Sequence, residues 1–518
     1  MTAALGTGLM ITAAALCAQT TVSNLGEERS LVWHLSDSDA HSRPLGEFLA
    51  HGERLFAAKW TEQDGGGRPL SKGTGRPLAD LTQPLTGARG FNRVSAPDAN
   101  SCSGCHNVPY FGGGGDFVTS VFVLGQRFDH VTFDPADKVP TRGTVTEEGK
   151  PATLQTVANL RATTGMFGAG YLEMLAREIT NDLQRIRDSV KAGETKGLAS
   201  KGVEFGSITL RRDGLWDVSK VKGLPRLSLL SGGSHDPPSL IVRPWHQAAN
   251  VTSLREFTNN AFNHHHGIQS VERFGEGTDP DGDGVANELT KGDVTAVVLY
   301  QAVLAVPGRV IPNDAEIEEA VANGEKVFEV SGCAECHRPA LPLSRAGAAF
   351  VEPGPYNAPG SLRSGELRDV KVDLNDPGLP GPRLSADRDG VTWVPAFTDF
   401  RVHDITDPDD PEPLDMNWGT WSKGFQQGNR QFLTKRLWGF YNEAPYFHHG
   451  LYMTARQAIL AHAGEAKESR RKFQDAAKYD QDSLIEFLKT LQVLPPGTKD
   501  LIVDEHFRKK NWSAPRTH

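Results

Sequence analysis

Cys102-Ser103-Gly104-Cys105-His106 and Cys333-Ala334-Glu335-Cys336-His337 are the residues of this chain whose types and spacing suit chemistry best. Two thiols separated by two residues match the distance between the two vinyl groups of one porphyrin, and a histidine directly after the second thiol reaches the iron from the same side. The same spacing also serves a zinc knuckle or a redox dithiol. The chain has five cysteines, and apart from Cys17 all of them fall in these two units, so none is left for a disulfide. Two complete units behind an apolar leader favour haem over zinc. Neither pair sits at the strand-to-helix turn that a thioredoxin-like dithiol uses. The expectation is two covalent c-type haems, one on Cys102, Cys105 and His106 and the other on Cys333, Cys336 and His337.

What stands on the far side of each iron decides between electron transfer and catalysis. A second protein ligand makes a relay, and an open position makes a reactive site. Thr454 is placed to cap a helix on which Ala455, Ala458, Ile459 and His462 share one face at i, i+3, i+4 and i+7. His462 therefore points into a core, either as a ligand of the second iron or as a buried imidazole bonded to backbone. His264, His265 and His266 are adjacent and point in different directions, so at most one or two of them can serve a single iron. His246 and His403 read as structural, and Met166 and Met174 as core filler. Asp279, Asp281 and Asp283 with Gly284 put oxygens at positions 1, 3 and 5 and glycine at 6 of a calcium loop, but position 12 is Thr290 rather than the bidentate Glu. Calcium and a solvated acidic turn both fit that pattern.

The elements that must position these groups show in a repeat. Ala50-His51-Gly52-Glu53-Arg54-Leu55-Phe56 and Ala322-Asn323-Gly324-Glu325-Lys326-Val327-Phe328 resemble each other, which points to a duplicated unit. Around the second copy Ile317, Ala320, Val321, Gly324, Val327 and Phe328 recur at helical spacing after a cap at Asn313 or Asp314. That helix runs straight into Cys333. Leu484, Ile485, Phe487, Leu488 and Leu491 form another helical stripe, ended by Pro495-Pro496-Gly497. A helix before the haem motif crossing one at the end of the unit is how small cytochrome c domains cover their haem. The sequence thus predicts a mainly α protein of two cytochrome c-like domains, at 44–310 and 315–500, with long irregular loops and insertions. The insertion in the first is expected around 60–100, a strand-like piece at 117–124, and a long ordered loop at 340–435, where Gly, Pro and Asp are frequent.

At 518 residues, 38% apolar and 23% charged, the chain is long enough for two or three ordinary globular domains. Its 64 acidic and 55 basic side chains give −9, so nucleic-acid binding has no electrostatic footprint, whereas a small basic electron-carrier protein is a compatible partner. Residues 3–18 are apolar and too short to span a bilayer, and they read as the core of a signal peptide at 1–18, implying export to the periplasm. No Lys or Arg precedes Arg29, and Leu16 before Cys17 does not suit lipid attachment. No other stretch reaches the length of a membrane span.

Longer motifs carry a family resemblance. Arg161-Ala162-Thr163-Thr164-Gly165-Met166-Phe167-Gly168-Ala169-Gly170-Tyr171-Leu172-Glu173 resembles a signature of the di-haem oxidoreductases often labelled thiol oxidoreductases. So do Phe262-Asn263-His264-His265-His266-Gly267-Ile268-Gln269-Ser270 with Glu272-Arg273-Phe274, then Phe397-Thr398-Asp399, His403-Asp404 and Ala444-Pro445-Tyr446-Phe447-His448-His449-Gly450. The resemblance spans roughly residues 45–495, and that family is in turn similar to bacterial di-haem cytochrome c peroxidases. It implies a peroxidase-like periplasmic enzyme in which the first haem meets peroxide and the second relays electrons. The alternative is a pure electron-transfer cytochrome with both irons six-coordinate. The resemblance further implies His462 as sixth ligand where the peroxidases have Met, Glu173 as the acid/base assisting O–O cleavage, and an interdomain calcium. Two departures stand out: no Trp lies between His106 and Glu173, and no His between His106 and His130.

Overall fold

The computed structural model describes residues 25–66, 99, 101–115, 118–121, 159–279, 283–406 and 431–512. The expected signal segment, most of the expected insertion at 60–100, and Asp281 lie outside the described residues. Of the described residues 34% are helical and 15% lie in strands, and the strands form six sheets of only two or three members. The expectation of a mainly α protein of two cytochrome c-like domains is corrected accordingly. The segments read as loops carry paired strands, because a chain folded over a core must satisfy its backbone N–H and C=O groups and short ladders do so. Within the stretch expected to be one long loop, Leu341–Leu343 pairs with Thr392–Val394, Ala349–Glu352 with Val370–Asp373, and Val402–Asp404 with Gln431–Leu433, all antiparallel. A three-stranded sheet of Glu194–Ser200, Val203–Leu210 and Trp216–Asp217 sends Val203, Phe205 and Ile208 into the same core as Ile179 and Leu183. Among the described residues no helix is long and apolar enough to cross a membrane.

Nine helices position the candidate site: α1 (Leu45–Ala57), α2 (Cys102–Cys105), α3 (Ala169–Asp188), α4 (Leu254–Ala261), α5 (Lys291–Ala302), α6 (Ala315–Val330), α7 (Cys333–Cys336), α8 (Ala455–Leu460) and α9 (Lys478–Thr490). The sequence repeat falls on α1 and α6, and its shared glycine explains why it repeats. A Cβ on Gly52 would lie 2.1 Å from the Ala296 carbonyl oxygen and 2.9 Å from Tyr300 Cβ, while one on Gly324 would lie 2.0 Å from the Ser483 carbonyl oxygen and 2.8 Å from Phe487 Cβ. Both glycines are where α1 crosses α5 and α6 crosses α9, backbone against backbone. The same crossing seats one aromatic ring against each candidate histidine. Phe56 lies 5.4 Å from Tyr300 and 6.2 Å from His106, and Phe328 lies 5.4 Å from Phe487 and 6.5 Å from His337, ring centre to ring centre.

Capping sets the starts of these helices. Asp314 accepts from the amides of Glu316 and Ile317 at α6, and Thr290 and Asp293 form a reciprocal capping box at α5. Asp293 also ties down the N-terminal segment, accepting from His51 Nε2 at 2.8 Å and the Leu35 amide at 2.9 Å and bonding His34 Nδ1 at 2.6 Å.

A second duplication becomes visible only in three dimensions. Residues 244–261 and 445–462 each run from a proline through a strap into a short helix. Trp245 bridges Val251 as Tyr446 bridges Tyr452. His246 and Phe447 both adopt left-handed backbone, with φ 67° and 64°, and Ser253 and Thr454 cap α4 and α8 through the amides of Glu256 and Gln457. Position by position, Asn260 corresponds to Ala461 and Ala261 to His462.

Candidate functional site

Each Cys-x-x-Cys-His unit folds as one helical turn, α2 or α7, with its histidine just beyond the last helical residue. His106 Nδ1 donates to the Gly113 carbonyl oxygen at 3.2 Å. That bond fixes the tautomer and leaves the lone pair on Nε2, the arrangement a metal-ligating histidine requires. Gly113 is needed for it, since a Cβ there would lie 2.0 Å from the Val108 carbonyl oxygen across the tight return of the loop. Burial holds the His106 imidazole down at about 4, so it is neutral, and pushes the Cys102 thiol up to about 12. Beside it opens a cavity of about 300 Å³ with Cys102, Cys105 and His106 on its wall, together with Thr258, Asn260, Ala261 and Gln301 from α4 and α5.

At the second unit His337 Nδ1 donates to the Phe397 carbonyl oxygen at 3.2 Å, and His462 Nδ1 donates to the Ala458 carbonyl oxygen at 2.8 Å. Both Nε2 atoms therefore keep their lone pairs. The two ring centres are 6.5 Å apart, a gap that a metal with a bond of about 2 Å to an imidazole nitrogen on each side would take up. Burial drives His337 down to about 4 and lowers His462 as well, so both are neutral bases, and it pushes the Cys333 thiol up to about 11. The donor sets at both units thus fit covalent haem. Phe447 joins the two places: its ring lies 5.2 Å from that of His462, and it also lines the cavity at the first unit.

Cys336, Asp399 and His403 present ligand-type atoms within 4.8 Å of one another. His403 is nevertheless spoken for. Its Nε2 bonds Asp399 and its Nδ1 bonds Glu465, each at 2.9 Å. Burial opposes charge there, but the bonds to Asp399 and Cys336 raise the imidazole to about 10. Both of its ring nitrogens are committed to carboxylates beside the second unit.

Glu173, the acid/base that the family resemblance implies, lies beside the start of α4. It is absent from the cavity wall. Its Oε1 accepts from Arg177 Nη2 at 2.5 Å and Nε at 3.1 Å, and its Oε2 from the Leu254 amide at 2.6 Å, at the start of α4. With both oxygens engaged, Glu173 anchors α4. Arg177 continues to Glu352 at 3.6 Å, Glu352 to Arg255 at 3.1 Å and Arg255 to Glu272 at 2.9 Å, all of them buried. In the acidic loop, Asp279 spends its oxygens on the amides of Asp283 and Gly284, and Asp283 on that of Val285.

Several groups were missed in the sequence. Asn260 Oδ1 accepts from Arg273 Nη1 at 2.9 Å, and Gln301 Nε2 donates to Thr258 Oγ1 at 2.8 Å. No signal in the sequence marked them, because the strap duplication shows only in the backbone. Comparison with known proteins adds little: no family model matches the chain, and no curated protein matches it. The xenon-pressurised hydrazine synthase of Kuenenia stuttgartiensis, among solved structures, aligns over 92% of this chain and 98% of its own at 14% identity with a TM-score of 0.35. The chain is similar to that enzyme only at this level, at which neither fold nor function carries across.

Proposed function

We propose that the chain is an exported di-haem c-type oxidoreductase, with one haem on Cys102, Cys105 and His106 and the other on Cys333, Cys336 and His337. The first centre is reactive, with peroxide as the first substrate to try, and the second relays electrons. Haem supplies one-electron chemistry at both places and, where a position on the iron is open, reaction with a small oxidant.

The observation that carries this reading is the contrast between the two units. His337 and His462, both neutral and each with Nδ1–H held by a carbonyl, have ring centres 6.5 Å apart, whereas His106 gives onto a cavity where Ala261 takes the position of His462. His106 and His337, their Nδ1–H groups fixed by carbonyls, would hold the two haem irons, and His462 would be a further ligand at the second. Phe447 packs against His462 and lines the cavity at the first unit. A small electron-carrier protein would dock at the second unit, where Leu451, Met453 and Leu460 on the strap and α8 are 52%, 65% and 37% exposed.

The test is a haem count followed by spectra. Two equivalents of c-type pyridine haemochrome per chain are expected, and zinc in place of iron would end the reading. In His462→Ala the low-spin haem should become high-spin, and a low-spin haem still present would remove the relay assignment.

A further inference from the structure

The two straps and the two helix crossings give a residue-by-residue comparison of the two centres. The crossing pairs Tyr300 with Phe487, which places Gln301 opposite Leu488, and the straps place Thr258, Asn260 and Ala261 opposite Ile459, Ala461 and His462. Three hydrogen-bonding residues thus stand at the first centre where the second has three apolar ones. A methyl group stands where the second has an imidazole. All four line the first cavity.

Polar side chains in a buried position cost free energy unless something uses them, and the surrounding structure spends effort on orienting these. Asn260 is buried. Its Oδ1 accepts from Arg273 Nη1, and because arginine only donates, that bond identifies the oxygen and turns the –NH2 group away from Arg273. Arg273 is in turn held by the Glu256 carbonyl oxygen at 3.3 Å and sits in the field of the Glu256 and Glu272 carboxylates. The second centre has nothing comparable, since Ala461 offers no donor.

We propose that the face of the first centre under Ala261 admits a small ligand with a hydrogen-bond-accepting atom, and that Asn260, positioned by Arg273, is the donor that holds it. The ligand class is peroxide-sized: two or three heavy atoms, one to meet the iron and another with a lone pair to meet the Asn260 amide. This rests on the proposed haem content and adds the residues that make one centre open. Other histidines on the cavity wall, His246, His265, His266 and His448, stand at no position that the second centre uses for its ligand. His266 is engaged by the Ala99 carbonyl oxygen at 2.7 Å and Cys102 Sγ at 3.4 Å.

The experiment uses the haem-loaded full chain, with azide and fluoride as probes and optical and EPR spectra as the readout. In the parent, one haem should be high-spin and bind both anions. Ala261→His supplies the missing imidazole, so that haem should turn low-spin and stop binding azide while the spectrum of the other stays as it was. Asn260→Asp keeps the bond to Arg273 and replaces the donor with an acceptor, so it should weaken azide by about tenfold or more, the worth of one charge-assisted hydrogen bond. A parent with two low-spin haems inert to azide, or Ala261→His still high-spin and azide-binding, overturns the proposal. If Ala261→His does not accumulate, Asn260→Asp decides, and unchanged azide affinity overturns the role of Asn260. A chain that carries fewer than two haems fails the underlying reading instead, a result the haem count separates from all of these.

Discussion

Gly324→Ala tests the crossing that seats Phe328 against His337. The added Cβ would lie 2.0 Å from the Ser483 carbonyl oxygen, where ordinary contact begins at 3.4 Å, so α6 and α9 are 1.4 Å too close to accept it. Neither neighbour is the free end of a flexible side chain, because the next atoms met are the Ser483 carbonyl carbon at 2.6 Å and Phe487 Cβ at 2.8 Å. Overpacking of this kind costs about 1–3 kcal/mol. Parting the helices also loosens the apolar cluster of Val327, Phe328, Phe397, Leu484 and Phe487, and a gap of about 1 Å forfeits up to half of each contact's attraction. Against this, alanine returns about 1 kcal/mol of helix propensity. The net expectation is a loss of about 1–2 kcal/mol, read as a lower urea midpoint at unchanged slope. Gly52→Ala meets Ala296 at 2.1 Å and should lose a similar amount, whereas Gly46→Ala, with nothing within 4 Å, should not lose stability. A parent-like midpoint for Gly324→Ala, or a loss at one crossing and none at the other, would refute the claim that the two crossings are one device used twice.

Glu173→Gln should act on stability and leave azide binding at the first centre unchanged. Removing one charge from a buried, paired network costs about 3–5 kcal/mol, and thermal melts beside azide titrations of the folded protein check both halves. Asp293 gives a pH signature. Burial pushes its carboxyl up, but the bonds from His34 and His51 outweigh burial and hold it at about 2, against 3.8 when free. A carboxyl depressed on folding stabilises above the unfolded pKa and loses that contribution as pH falls through the folded one. The difference corresponds to roughly 2 kcal/mol. Asp293→Asn should therefore fall short of the parent by about that amount at pH 6, with the gap closing between pH 4 and pH 2. A gap independent of pH over that range would contradict the role assigned to the carboxylate.

The helical parts of the site were legible because they rest on local signals: spacing on α6 and α9, the Thr454 cap of α8, and a glycine whose repetition marks a crossing. Strands such as Val370–Asp373 and Val402–Asp404 were not, because each is three or four residues long and forms only through a partner many residues away. The place of His462 opposite His337 could be approached from local signals, since His337 closes a recognisable motif and His462 lies on the face set by the Thr454 cap eight residues before it. Glu173 could not be placed that way. Its neighbours in sequence are apolar and its role depends on Leu254, 81 residues on. The strap duplication escaped notice because its two copies share almost no side chains, only a proline, a capping hydroxyl and an arginine, while the backbone angles that make it a duplication leave no mark in the sequence.

That arginine shows how one module serves two ends. Arg255, in the first copy, is fully buried and paired with Glu272 and Glu352. Arg456, in the second, is 35% exposed and paired with Asp482. The neighbouring positions invert in the same sense: Asn250, Thr252 and Asn259 are buried polar residues, and their counterparts Leu451, Met453 and Leu460 are exposed apolar ones. A buried polar strap needs a dense surrounding of partners and holds its helix rigidly over the cavity. An exposed apolar strap leaves area to be covered by another protein. On the function proposed above, the first copy would orient a small molecule inside the protein and the second would meet a partner at the surface, the division of labour required if electrons enter at one haem and are used at the other.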